Sequence, residues 1–228
     1  MMEEPMGISY GAMTAPVRTG VERATLVRRT YLLVLAGVFV TTVSCWWAMS
    51  QPALMGLVVR HPFLTFFATL APLMGAQFFR RQFPLNIGLT LLFTLIEGLW
   101  IAPLVYAMEQ RQPGVAGQAA ILTLSTFAVL TAYAFISRRD FSAWGSFFVV
   151  GLWVLIGTSL LNLFFQNQTA SLWIAGATVL VFSGMLVFDT WRLRNQYGPD
   201  DYVIAAVQIY LDLLNLFTAI LRLLGGRR

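Results

Sequence analysis

Lysine is missing altogether from this chain of 228 residues, and cysteine and histidine occur once each, as Cys45 and His61. Each scarcity excludes something. A single cysteine cannot close an intramolecular disulfide, and its place inside an apolar run fits a small packed residue. A single histidine, beside Pro62 at the edge of an apolar run, cannot build a histidine metal site or support a serine–histidine protease centre. No Walker-type phosphate loop and no Rossmann glycine fingerprint is present. No cofactor is expected. Charge is scarce as well, at 11% of residues against about a quarter in soluble domains.

What is present is apolar. With 58% hydrophobic residues the chain reads as an integral membrane protein whose surroundings are a lipid bilayer. Its arginines fall in short clusters between apolar runs, the pattern of loop charges and not of a nucleic-acid surface. Seven runs, roughly 30–50, 62–79, 85–107, 117–137, 144–165, 170–191 and 203–224, each come near the ~20 residues needed to cross a hydrocarbon core. The short connections predict one all-α bundle over residues 21–228, with no separate soluble domain. Ahead of it, MMEEPMGISYGAMTAPV is acidic, rich in turn formers and without a basic n-region. A mobile, uncleaved tail is therefore expected over residues 1–20.

The loops alternate in charge. One side gathers Arg18, Arg23, Arg28, Arg29, Arg80, Arg81, Arg138, Arg139, Arg192 and Arg194; the other holds Arg60 and Arg111. Positive-inside places the N-terminus in the cytoplasm. Arg222, Arg227 and Arg228 complicate this, since a full seventh crossing sends them outside and a re-entrant one returns them. Trp46, Trp47, Trp100, Trp144, Trp173 and Trp191 are expected near segment ends, as interfacial anchors.

Three carboxylates stand inside apolar runs: Glu97 in IEGLW, Asp189 in LVFDTW and Asp212 in IYLDLLN. An ionised Asp at a helix centre costs about 2.5 to 3.5 kcal/mol to insert, so such groups face partners or water within a bundle. In the run AAVQIYLDLLNLFTAILRLL, residues 205–224, helical spacing puts Gln208, Asp212, Asn215, Ala219 and Arg222 within an arc of roughly 80°. One polar stripe on an otherwise bulky apolar helix suits the centre of a bundle. The stripe could simply bond to neighbouring helices, but such bonds average around 0.6 kcal/mol, a modest return for burying a carboxylate. If the 195–202 loop dips inward, Asp189 and Asp212 meet and share a proton, forming a proton sensor whose hard oxygens also suit calcium. Glu97, with Asn86, Thr90 and Thr94 on its side of the helix, adds a milder stripe. It either extends a polar path or is a protonated interhelical acid.

Two membrane aspartates also suggest an intramembrane aspartyl protease. That family's second aspartate follows a Gly-x-Gly pattern, whereas Ile209, Tyr210 and Leu211 precede Asp212 here, so an enzyme is not expected.

The segment IYLDLLNLFTAILRLLG, preceded by VFDTWRL, closely resembles the Bax inhibitor-1 family, also called the transmembrane Bax inhibitor motif family. SRRDFSAWGSFF between the fourth and fifth runs looks like the same family's cytoplasmic loop. The resemblance implies a seven-transmembrane-helix bundle, with the C-terminal helix central and surrounded by the other six, that conducts calcium in a pH-sensitive manner. Its dyad falls on Asp189 and Asp212, which the resemblance makes the calcium ligands. Its latching arginine falls in FFRRQ, at Arg80 or else Arg81. Glu97, Gln208 and Asn215 are then expected to line the pore. Two other functions stay open: an interaction protein regulating a membrane quality-control protease, and a proton-coupled transporter. Short loops and the all-arginine charge set suggest a bacterial inner membrane.

Overall fold

The computed structural model describes residues 20–226. The tail expected over residues 1–20 lies outside that range apart from Gly20, as do Arg18, Arg227 and Arg228. The described residues form eight helices: α1 (Gly20–Met49), α2 (Pro52–Arg60), α3 (Pro62–Phe78), α4 (Leu85–Arg111), α5 (Val115–Ile136), α6 (Trp144–Phe165), α7 (Gln168–Asn195) and α8 (Tyr202–Gly225). Six of them are long and apolar enough to cross a bilayer, and α2 with α3 make a seventh span if that pair, bent by 96°, counts as one.

The bend has a local cause. Pro52 and Pro62 each open a helix, where the missing N–H and fixed φ are tolerated, and neither can continue the helix before it. The discontinuity thus falls in the second span. The last span, for which a re-entrant form was considered, is instead an unbroken helix of 24 residues.

Helix α8 is the most enclosed, with 61% of its apolar window buried, against 11% for α6. It packs directly on α1, α4, α5 and α7 and touches α3, while α6 lies outermost along α7. Helix α6 meets the central helix only across a cavity, lined by Leu155 and Ser159 on one side and Asn215 and Arg222 on the other. Most of α6 is apolar and exposed, which suits a lipid-facing helix, and its Ser159 is turned toward that cavity.

The tightest wall is between α1 and α4. Gly98 lets the backbones close, since a Cβ there would stand 1.9 Å from Ser44 Oγ and 2.5 Å from the Thr41 carbonyl. Small residues permit this approach where no hydrophobic force drives helices together in lipid.

Four arginine clusters share one end of the bundle. Arg29 lies over the Tyr202 ring, and the Arg80 carbonyl accepts from Asn86, which also donates to Tyr202. Arg194 donates to the carbonyls of Ala134, Phe135 and Ser137, closing the C-terminus of α5 just before Arg138 and Arg139. Among the tryptophans expected as anchors, Trp191 is instead buried, stacked on Phe188 and packed with Phe141 and Val187.

Candidate functional site: a carboxyl pair against the central helix

Helix α7 runs four residues past the predicted end of its apolar run, so Asp189 sits six residues, about 9 Å, inside the helix end. Asp212 lies ten residues into α8, which runs the opposite way, and the two carboxyls are close enough for the charge of each to act on the other. Two carboxyls that share a hydrogen bond would need a proton on one of them. Both residues are buried, Asp212 at 2% exposure, and its Oδ2 has no hydrogen-bond partner among the described residues.

On the arginine-rich side the pair is covered by Arg192. Its Nη1 donates to Asp189 Oδ1 at 3.1 Å and approaches Gln208 Oε1 at 3.4 Å, while its Nε reaches Gln196 Oε1 at 3.4 Å. The guanidinium also lies over the rings of Phe188 at 5.6 Å and Tyr197 at 4.9 Å. The 195–202 loop does dip inward, through the buried Tyr197, whose hydroxyl donates to Gln208. Burial holds that hydroxyl protonated well above its ordinary range, against the pull of the Arg192 charge, which the Asp189 charge partly offsets. Tyr197 is thus a fixed donor at any physiological pH.

The arginine meeting Asp189 is therefore Arg192, one turn further along the same helix, and not Arg80 or Arg81. Those two line a separate cavity with Arg29 and form no ion pair among the described residues. The spacing of Asp189 and Arg192 was the signal for this contact, because residues three apart are neighbours on a helix. Tyr197 carried no comparable signal in the sequence.

At the other end of α8 the stripe opens into space. Glu97, Asn215, Thr218 and Arg222 share the lining of a cavity of about 360 Å³, and Asn215, Thr218 and Arg222 also line a neighbouring one of about 290 Å³ beside α6. Gln208, expected in the same path, belongs to the dyad's hydrogen-bond group. Asp212 lines neither cavity, although it is separated from Asn215 by one helical turn of about 5 Å. On the opposite face of α8, Thr41 donates to the Thr94 carbonyl at 2.9 Å, leaving Tyr210 to donate to Thr41 at 2.6 Å. That tie joins α1, α4 and α8, and it was not foreseen.

Chemically, the arrangement can hold and exchange a proton and can present carboxylate oxygens to a cation. Among the described residues no three His, Cys, Asp or Glu side chains cluster, so Asp189 and Asp212 are the two carboxylates the site offers.

A family model described as "Inhibitor of apoptosis-promoting Bax1" matches residues 23–228. The chain belongs to the Bax inhibitor-1 family. Bax inhibitor 1 of Schizosaccharomyces pombe is 35% identical over 89% of this chain and 77% of its own length. Protein lifeguard 4 of Mus musculus is 34% identical over 95% and 90%. A bacterial relative from Campylobacter jejuni is 31% identical over 89% of each chain. These Bax inhibitor-1 relatives do not carry enzyme names, and they span bacteria and eukaryotes.

Proposed function

We propose that this protein is a pH-sensitive calcium leak channel and not an enzyme, gated where Asp189 and Asp212 share a proton beneath an arginine. The observation that carries the proposal is the meeting of two buried carboxyls, one of them on the central helix. With one proton the pair bears a single negative charge, which Arg192 balances. A second proton removes the counter-ion of Arg192; loss of the shared proton sets two negative charges against one arginine. Either change alters how α7 and α8 are held together. Glu97, Asn215 and Arg222 supply the polar far end of the path, calcium is the cargo, and Asp189 and Asp212 are the oxygens it meets at the closure. The family's latch position at Arg80 joins this scheme if the cover is exchanged between arginines. Bacterial relatives and the arginine distribution support an inner-membrane location with a cytoplasmic N-terminus.

The test is calcium flux into proteoliposomes across pH, with wild type against Asp189→Asn and Asp212→Asn. Loss of the pH response in Asp212→Asn is expected; unchanged flux and response would sink the proposal. Proton movement that depends on an added solute would favour a coupled transporter. Loss of a protease partner on removing residues 1–20, with flux intact, would favour the regulator.

A further inference from the structure

Three arginines from different parts of the chain converge on one concave site. Arg29 comes from the first turns of α1, and Arg80 and Arg81 from the connection between α3 and α4; together they line a cavity of about 660 Å³. None of the three forms an ion pair among the described residues, and Asp200 is the one carboxylate in the lining. Below the arginines the wall is apolar, with Leu32 at 55% exposure and Phe83 at 76% facing outward from the bundle.

Cationic heads above an exposed apolar wall, at the end of a membrane bundle, match one class of ligand in both halves. We propose that this cavity holds the phosphate headgroup of an anionic phospholipid, with its acyl chains lying along Leu32, Ala36 and Phe83. Basic pockets between membrane helices on the arginine-rich side recognise such headgroups, and guanidinium forks suit phosphate oxygens. The site is tied to the central helix. The Arg29 guanidinium lies 5.8 Å from the centre of the Tyr202 ring, and Asn86 donates both to the Tyr202 hydroxyl and to the Arg80 carbonyl. Tyr202 is the first residue of α8. A bound headgroup would thus brace the start of the helix that carries Asp212, without touching the dyad.

Purified full-length protein in phosphatidylcholine nanodiscs, with or without added phosphatidylglycerol, gives the test, with retained lipid counted by native mass spectrometry. The wild type should retain phosphatidylglycerol over phosphatidylcholine. The preference should fall about fivefold for each arginine removed in Arg81→Gln and in Arg29→Gln/Arg80→Gln. Arg138→Gln/Arg139→Gln, at the same end but outside the cavity, should leave it unchanged. Equal loss in that control would overturn the site in favour of diffuse surface charge. Displacement of phosphatidylglycerol by inorganic phosphate would overturn the lipid assignment in favour of a soluble anion. If the multiple variant does not fold, Arg81→Gln alone decides, because Arg81 is exposed and holds no other element. Lipid occupancy is read here without any calcium measurement, so the result stands apart from the channel proposal.

Discussion

The two ends of α8 carry the same kinds of residue and treat them in opposite ways. Toward its start, Gln208 and Asp212 are closed in by Asp189, Arg192 and Tyr197, with aromatic rings on the guanidinium. Toward its end, Asn215, Thr218 and Arg222 line open space that Glu97 faces from α4. One stripe on one helix is plugged at one end and accessible at the other. Burial by itself is thus no guide to function here; what separates the ends is whether the polar side chains reach across to a neighbouring element, as Gln208 does to Arg192 and Tyr197, or bond within α8 and face a cavity, as Asn215 and Thr218 do. A pathway closed at one end by titratable groups is the form a gate needs, because only there does a change of protonation change a contact.

Substitutions can break or sharpen this contrast. The largest effect is expected from the dyad: if the proposal holds, Asp212→Asn removes one of the two carboxyls and calcium flux should lose its pH response. Next comes Arg192→Gln, which takes the charged cover from the plugged end. Flux near neutral pH should rise about tenfold, the scale of one charge-assisted hydrogen bond. If it does not, Arg192 is a bystander and the family position at Arg80 becomes the better latch. Glu97→Gln, at the open end, should lower flux by about two- to threefold, through loss of a carboxyl oxygen facing the cavity. Its pH profile should keep the wild-type shape; a shifted profile would move the sensor to the wrong end.

The smallest effect is expected from Tyr197→Phe, which deletes the donor to Gln208 and should cost about 1 kcal/mol of stability in thermal denaturation. Because burial raises this hydroxyl above its ordinary value of 10.0, the neutral form contributes fully below that pH. Its contribution fades only as the pH climbs through the still higher folded value. The difference in melting temperature between Tyr197→Phe and wild type should therefore be constant from pH 5 to pH 8, roughly the range in which a histidine would titrate. A difference that changes within that range would show that Tyr197 responds to the state of the dyad.

Much of this architecture was legible in the chain because bilayer physics is simple. Helix α6 occupies the predicted 144–165, and the α8 stripe follows from a turn of 100° per residue. Helix α1 begins ten residues before its apolar run because arginines at an interface cost a helix little, and a hydropathy window cannot see them as helical. Helix α2 escaped notice because it is only nine residues long, although Pro52 and Pro62 marked both of its boundaries. At the site, the meeting of Asp189 and Asp212 was foreseeable, since a buried carboxylate needs a partner. The identity of the covering arginine was not, because it depends on how α7 extends past its apolar run and where the loop carries Tyr197. Such choices are made by three-dimensional packing and leave no period in the sequence.

The enclosure of α8 bears on how the protein is made. Ribosomes deliver α1 to α7 before it, so the earlier helices must wait in the bilayer with their shared interior unfilled. Until α8 arrives, Asp189 lacks the aspartate opposite it, and Thr41 lacks the tyrosine that donates to it. The meeting of Asp189 and Asp212 therefore waits for α8, and a nascent chain stalled before Tyr202 would present a vacant seam that lipid, water or a chaperone must occupy.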